Sequence, residues 1–325
     1  MSEEWRNVFQ KLEEQVSGLQ RTIVSTQTGF PVRENLLPEA LSVFPVETPV
    51  LNRLARLPGS GTAVSWRELT GFTRVGSVFY AEGAAPNAIT SVYAARSAGY
   101  KLMGRLFGVT GFARAAGANF SDQLVTERNN AVIGLKQDIE SAIINADGTG
   151  DTFEGLIDQI DAANGSFVNP IGGALAIDDL GEALRECHDR GYQVNYMLVN
   201  ALQAEQINNL ILAGGTHSIT DIRSEQGMMA GQGRVSHLID PITGYAVEII
   251  AHRNLAAGTI LGIPEKLPAP VAGRQGQNGL WWDALLDYTE VEIGITGDTM
   301  NYFLKTYATM PFPARRGAFK LTGVA

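Results

Sequence analysis

The chain has 325 residues, of which 45% are hydrophobic and 18% charged, and its formal net charge is −9 at pH 7. This length favours a globular protein with two subdomains, or one domain with long extensions. The acidic excess argues against a dedicated nucleic-acid binder, so any contact with DNA should be local and nonspecific. A single cysteine, Cys187, excludes an internal disulfide framework and fits a reducing cytoplasm. No apolar signal core or membrane-length apolar run is present, which predicts a soluble protein without a membrane partner.

Residues 3–24 are predicted to form a helix, because their large apolar residues recur alternately four and three apart. The residues of this seam are Trp5, Phe9, Leu12, Val16, Leu19 and Ile23. A seam of less than three heptads is too short to be stable alone, so it should pack on its own domain or on another subunit. Residues 25–58 carry five prolines and no sustained period, which predicts an extended arm.

From Thr62 to Gly117 the chain is rich in β-branched, aromatic and glycine residues with partial alternation, which predicts long antiparallel strands. Much of this segment is polar or small on both faces. A two-stranded ribbon of this kind is marginal in water and is expected to need a neighbour.

The strongest helical pattern runs from Ser121 to Ala146, with Ser121 as the predicted N-cap and Asp122 in the first turn. Its apolar stripe consists of Leu124, Val125, Ala131, Val132, Leu135, Ile139 and Ile143. The loop that follows, residues 147–151, resembles a ligand loop but lacks the spacing of a calcium-binding loop and any phosphate-binding motif. We interpret it as the helix end, with Gly148 as the left-handed residue and Asp151 or Thr152 as the cap of a short helix beginning near Phe153.

The rest of the chain alternates between helical and strand patterns. Residues 178–190, closed by Gly191, and residues 201–213 are predicted helices, and YQVNYMLVN between them is a predicted buried strand. Asp178 and Asp179 are interpreted as charges of a helix first turn. Five further strands are predicted in GYAVEIIAHRN, GTILGIP, YTEVEIGITG, MNYFLKTYATM and AFKLTGVA.

No catalytic constellation is found, so an enzymatic role, a cofactor and a metal are not expected. Cys187 and His188 are adjacent on a helix and point about 100° apart, so they do not converge on one metal. Cys187 lies on the apolar side of its helix and is expected to be a buried structural thiol. Basic residues cluster weakly at Arg96, Lys101, Arg105 and Arg114, without the interleaved aromatics of a nucleic-acid reading surface.

The order of these parts resembles the major capsid protein of tailed bacteriophages, which has the α+β Hong Kong 97-type fold. "VSWREL" with "FYAEGAAPN" resembles the opening of the family's extended hairpin, the E-loop. "LVTERNNAVIGLKQDIESAIINADGTGDTFEGL" is similar to its long spine helix and exit turn, and "ITGYAVEIIAHRNLAAGTIL" to the returning strands of its axial domain. The resemblance assigns 1–58 to an N-terminal arm, 59–112 to the E-loop, 113–175 to the peripheral domain with the spine helix, 176–285 to the axial domain, and 286–325 to closing peripheral strands.

This resemblance implies a subunit that assembles with itself, as hexameric and pentameric capsomers, into an icosahedral shell enclosing double-stranded DNA. The protein would be made in the host cytoplasm and reside in the virion, with portal, scaffolding or decoration proteins as further partners. The residues expected to contact other subunits are Trp5, Phe9, Leu12, Val16, Leu19, Trp66, Glu68, Glu82, Gly83, Arg96, Lys101 and Arg105. Some family members crosslink a hairpin lysine to an asparagine of a neighbouring subunit. In the predicted hairpin of this chain the only lysine is Lys101, and no matching asparagine is found. Crosslinking is therefore not expected.

Two alternatives remain open from the sequence. The first is an encapsulin, a protein shell of the same fold that encloses protein cargo. The second is an α/β enzyme that uses the glycine-rich stretch 213–233, because glycine-rich loops often carry sites.

Overall fold

The computed structural model describes residues 47–117, 122–213, 235–268 and 278–325, together with Asn7, Gln10 and Lys11. The chain divides into a unit Met1–Leu41 and a unit Ser42–Ala325. In the first unit the three described residues are helical and exposed, as the helix predicted for residues 3–24 requires. The predicted contact residues Trp5, Phe9, Leu12, Val16 and Leu19 lie outside the described residues.

The described part of the second unit contains three sheets and several helices. Its first half comprises α1 (Pro49–Arg53), β1 (Ala55–Pro58), β2 (Ala63–Arg74), β3 (Ile89–Gly99), β4 (Lys101–Thr110), α2 (Gly111–Gly117), α3 (Gln123–Asn145), α4 (Leu156–Gln159) and β5 (Phe167–Gly173). Its second half comprises α5 (Ile177–Asp189), β6 (Tyr196–Val199), α6 (Ala201–Ala213), β7 (His237–Ile239), β8 (Ala246–Ala251), β9 (Ile260–Ile263), β10 (Trp281–Thr296), β11 (Thr299–Thr309) and β12 (Phe319–Val324).

The sheets combine strands that are distant in sequence. One has the order β1-β10-β11-β4, a second β5-β12-β9-β6-β8-β7, and β2 pairs only with β3. In the first sheet β1 is parallel to β10, and β10, β11 and β4 are mutually antiparallel. In the second, β5 is parallel to β12 and β6 to β8, while β12–β9, β9–β6 and β8–β7 are antiparallel.

This pairing corrects several predicted boundaries. Lys101–Thr110 pairs with β11 rather than continuing the hairpin, so the hairpin ends at Gly99. Gly111–Gly117, predicted as strand, is helical. Pro49–Arg53 and Ala55–Pro58, predicted as part of the extended arm, instead form α1 and β1, and residues 25–46 of that prediction lie outside the described residues. The last strand, predicted to close the peripheral sheet, instead joins the six-stranded sheet, and the predicted boundary at residue 285 falls inside β10.

Two hydrophobic clusters support these sheets. The first packs Leu135, Ile139 and Ile143 of α3 with Trp282 and Phe312. The second packs α5 on the six-stranded sheet, and its members include Leu180, Leu184, Cys187, Met197, Val247, Phe319 and Leu321. The predicted α5, β6 and α6 are confirmed, and Gly191 has the left-handed φ of +82° that ends α5.

The long helix is confirmed with two corrections. Its N-cap is Asp122, whose carboxylate accepts hydrogen bonds from the backbone N–H groups of Leu124 and Val125, rather than Ser121. Val125, assigned to the apolar stripe, is 43% exposed, whereas Ile144 is buried. The stripe therefore faces the core mainly in the second half of the helix.

A glycine-to-alanine pair tests the packing of the six-stranded sheet. A Cβ at Gly262 in β9 would overlap the ring of Phe319 in β12. We therefore expect Gly262→Ala to lower the free energy of unfolding by about 1–3 kcal/mol. The control is Gly134→Ala in α3, where nothing lies near the added methyl group, and it should stabilise by about 0.5–1 kcal/mol. Urea denaturation measures both, and equal stability of the two variants would contradict this packing.

Candidate functional site

The hairpin β2–β3 is largely exposed along both of its strands. Its strands pair in register from Ala63 with Gly99 to Arg74 with Ile89, with one irregularity between Leu69 and Gly71. Its tip exposes Val78 to 88% and Phe79 to 89%. Large apolar side chains that stay in water at a projecting tip indicate a contact surface rather than a core.

A tight turn shapes the hairpin tip next to this apolar pair. The N–H of Ala84 donates to the carbonyl of Ala81, and Gly83 takes a φ of +82° at the third position of the turn. That left-handed conformation is the one for which glycine has no steric cost. Glu82, also in the turn, is exposed. Among the predicted contact residues, Glu82 and Gly83 are therefore both available to another molecule.

The hairpin root is fixed by a small polar and aromatic cluster. Trp66 packs edge-on against Trp281 with 6.4 Å between ring centroids, and its indole N–H donates to Glu68 at 2.8 Å. A guanidinium nitrogen of Arg315 lies 3.4 Å from the same Glu68 oxygen, and Nε of Arg96 lies 3.9 Å from the other. The structure thus brings Trp66, Glu68 and Arg96 together, and it adds Arg315, which no pattern in the sequence links with them.

Behind the hairpin root lies a cleft of about 420 Å³. Its lining includes Trp66 and Arg96 of the hairpin, Arg315 of the body, and the polar residues Glu154, Asp158 and Asn164. Nζ of Lys101 donates to the carbonyl of Gly150 at 2.8 Å. Basic and acidic groups therefore face the same cleft.

A second exposed apolar surface lies on the four-stranded sheet. Leu102 and Leu106 alternate with the buried Phe107 and Val109 along β4, so they occupy the face opposite the core. Their exposed fractions are 74% and 63%. This sheet face is a second candidate contact surface.

Arg105 of the same strand differs from Leu102 and Leu106, because it forms an ion pair with Asp138 of α3 at 2.6 Å. Both side chains are about half exposed, which keeps the pair on the surface. The predicted intersubunit role of Arg105 stays a prediction.

The loop after α3 is a compact hydrogen-bonded turn. The carboxylate of Asp147 accepts bonds from the backbone N–H of Thr149 and from the hydroxyls of Thr149 and Thr152, which hold the pKa of Asp147 below its usual range. Gly148 and Gly150 both have a positive φ, as the predicted turn requires for Gly148. Three hydrogen bonds within the loop therefore occupy the carboxylate of Asp147, as expected for a structural turn.

One part of the loop prediction is wrong. The short helix α4 begins at Leu156 with Gly155 at its N-cap position, and no side chain caps it. Thr152 is instead bonded back to Asp147 and to the carbonyl of Thr149. Within the described ranges, no group of three or more His, Cys, Asp or Glu side chains is arranged to hold a metal, and no described helix has the length and hydrophobicity to cross a membrane.

Cys187 is confirmed as a buried thiol. Its exposed fraction is 1%, and burial raises its pKa to about 12. Because the thiolate is the reactive form, we expect Cys187 in the folded protein to resist iodoacetamide at pH 8 and to react rapidly in urea. Mass spectrometry of the alkylated product measures both, and rapid modification of the folded chain would contradict the burial.

The sequence pattern did not reveal a buried polar junction centred on Glu140 of α3. This glutamate is fully buried, and its two carboxylate oxygens accept the backbone N–H groups of Val50 and Leu51, each at 2.8 Å. These are free N–H groups of the first turn of α1, whose own N-cap residue provides no side-chain bond. The carboxylate of α3 therefore caps a helix 90 residues away in sequence.

His252 completes this junction. Its Nε2 lies 2.9 Å from Glu140, and its Nδ1 accepts the backbone N–H of Asn254. A ring nitrogen that accepts a hydrogen bond carries no proton, so this geometry assigns the proton to Nε2, where it points at the carboxylate. The one feature of the sequence that indicates part of this junction is Pro49, because proline is favoured at the first position of a helix and Pro49 begins α1.

The family model described as SU10 major capsid protein matches residues 16–270. Among curated proteins, none matches the sequence.

Solved structures resemble almost the whole chain. The capsid of a native GTA particle is 16% identical with a TM-score of 0.66, covering 94% of this chain and 100% of that one. The capsid of cyanophage A-1(L) is 14% identical with a TM-score of 0.62, covering 92% and 98%. The holo-SrpI encapsulin of Synechococcus elongatus PCC 7942 is 15% identical with a TM-score of 0.57, covering 90% and 92%. At these identities the likeness shows a shared fold.

Proposed function

The chain belongs to the SU10 major capsid protein family, and from that premise we propose that it forms an icosahedral shell, built of hexameric and pentameric capsomers, around the double-stranded DNA of a tailed phage. The predicted Hong Kong 97-type fold is confirmed, and the protein is a shell-forming component of a virion that assembles with itself. Synthesis in the host cytoplasm, and contacts with portal, scaffolding or decoration proteins, are parts of the proposal.

The observation that carries the assembly proposal is the hairpin β2–β3. Its tip residues Val78 and Phe79 remain almost fully exposed in the single subunit. Burying such side chains contributes about 1.5–3 kcal/mol each, so a contact with a neighbour stabilises an otherwise marginal ribbon. We assign this hairpin to the E-loop and α3 to the spine helix, and we propose that Trp66, Glu68, Glu82, Gly83 and Arg96 act at or near contacts between subunits.

We propose a structural role without catalytic turnover. The only cysteine is a buried thiol with a raised pKa, and the buried pair Glu140 and His252 is occupied by backbone groups and by each other. Both features serve the fold rather than present a reactive group to solvent. Lys101 bonds to Gly150 of its own subunit, which supports the expectation that it forms no covalent crosslink.

Particle contents test the nature of the cargo. Particles purified from infected cells and treated with nuclease should retain protected double-stranded DNA, with a protein composition dominated by this chain. An encapsulin role, for which one structural neighbour gives a reason, predicts empty or enzyme-filled particles without protected DNA. Denaturing electrophoresis of the same particles should show a single monomer band, and a ladder would contradict the absence of crosslinks.

A further inference from the structure

Among the described residues, the side-chain contacts that join the hairpin to the rest of its subunit lie at its root. Trp66 packs on Trp281, and Glu68 faces Arg315. Directly after β3, the hydroxyl of Tyr100 donates a hydrogen bond to Asp283 at 2.7 Å. Beyond the root, both strands are largely exposed on both faces. The angle of the whole hairpin therefore depends on a few root contacts.

Arg315 is the least satisfied of these root residues. Its side chain is 6% exposed, its Nε has no hydrogen-bond partner within the described part of the chain, and its contact with Glu68 is long at 3.4 Å. Burial lowers its pKa, opposed first by the charge of Glu68 and then by that of Glu154, while Arg96 and Arg316 add to the lowering. A buried guanidinium with one long contact is incompletely neutralised.

Glu68 cannot fully neutralise the charge of Arg315, because its carboxylate has other partners as well. One oxygen accepts the indole N–H of Trp66 at 2.8 Å and also faces Arg315, and the other faces Arg96 at 3.9 Å. The second carboxylate that stabilises Arg315, Glu154, lines the same cleft and is exposed. Arg315 and Glu154 both line the cleft of about 420 Å³, which is the space through which the guanidinium would turn away from Glu68.

We propose that Arg315 is a two-position latch for the hairpin, paired with Glu68 when the hairpin is docked and with Glu154 when it is released. The latch rests on the proposed shell function in one respect: a closed shell with both pentamers and hexamers places one chain in different environments, and the hairpin must then take different angles. Two carboxylates competing for one buried cation provide two discrete settings, as a switch of this kind requires.

Distances between the hairpin and the body test the latch on unassembled subunits. Nitroxide labels at Arg74→Cys and Glu182→Cys report the hairpin angle by double electron–electron resonance, since both native side chains are exposed and the buried Cys187 does not react. We expect two distances in the otherwise unchanged chain. Glu154→Gln should remove the released distance, and Glu68→Gln should remove the docked one. Glu205→Gln, which changes an exposed carboxylate of α6 outside the hairpin root, is the control and should leave both distances.

The same single distance in all four proteins would overturn the latch, as would two distances that neither root variant changes. Electron microscopy of the same variants under assembly conditions separates the latch from the shell function. If shells form but the distances do not respond, the latch fails alone. If no shells form while the distances shift as expected, the shell function fails and the latch stands. If the shell function and the latch both hold, Glu154→Gln should give irregular or open shells.

Discussion

Replacing Glu140 by alanine is expected to lower the free energy of unfolding of the subunit by about 3–5 kcal/mol. The substitution removes the acceptor for two N–H groups of α1 and leaves the ring N–H of His252 buried without a partner. Each buried donor left unsatisfied costs about 1–3 kcal/mol. Urea denaturation measures the loss, best in an assembly-deficient background so that subunit contacts do not contribute.

Two further substitutions sharpen this prediction. Glu140→Gln keeps the shape but turns one acceptor into a donor that faces a backbone N–H, so it should cost about 2–3 kcal/mol. Asp138→Asn lies two residues away on the same helix and breaks only an exposed ion pair with Arg105, which should cost less than about 1 kcal/mol. Similar losses for Glu140→Ala and Asp138→Asn would show that Glu140 does not join α1 to α3.

Placing aspartate at Val78 and Phe79 is expected to abolish shell formation while leaving the subunit folded. Both side chains are already in water in the single subunit, so the free energy of unfolding should change by no more than about 0.5 kcal/mol. In the shell the same change forfeits the burial of two apolar side chains, about 3–6 kcal/mol per contact. Since 1.4 kcal/mol corresponds to a factor of ten in a dissociation constant, the protein concentration needed for assembly should rise at least about 100-fold.

Sedimentation velocity distinguishes shells from capsomers and subunits in these variants. Phe79→Leu is the matched control, because it keeps an apolar side chain at the tip, and it should assemble. Normal shells from the double aspartate variant would show that the apolar hairpin tip is not needed for assembly. Loss of assembly in Phe79→Leu would mean that the exact ring, rather than apolar burial, decides the contact.

The sequence predicted the parts whose pattern is local. The spacing of Leu135, Ile139 and Ile143 marks α3, and the glycine at 191 marks the end of α5, because a helical stripe and a left-handed cap are properties of a short segment. Helix α2 was missed, since its sequence GFARAAG has a glycine at each end and follows strand-forming residues. Tertiary contacts, rather than local preference, decide such segments.

The interactions at the hairpin root and at Glu140 could not be read from the sequence for a different reason. Glu68 and Arg315 are 247 residues apart, and Glu140 and His252 are 112 apart, so nothing in either segment indicates its partner. A glutamate within a long helix is usually interpreted as a solvated charge, because carboxylates are seldom fully buried unless they are paired. The folded structure is needed to show that Glu140 is buried and paired instead.

Electron cryomicroscopy of particles assembled from this chain tests whether the protein forms a shell through its hairpin tip. We expect closed icosahedral shells of pentamers and hexamers, in which the hairpin tip with Val78 and Phe79 is buried on a neighbouring subunit. A preparation that sediments as a folded monomer and forms no shells, or shells in which the hairpin tip contacts no neighbour, would contradict it.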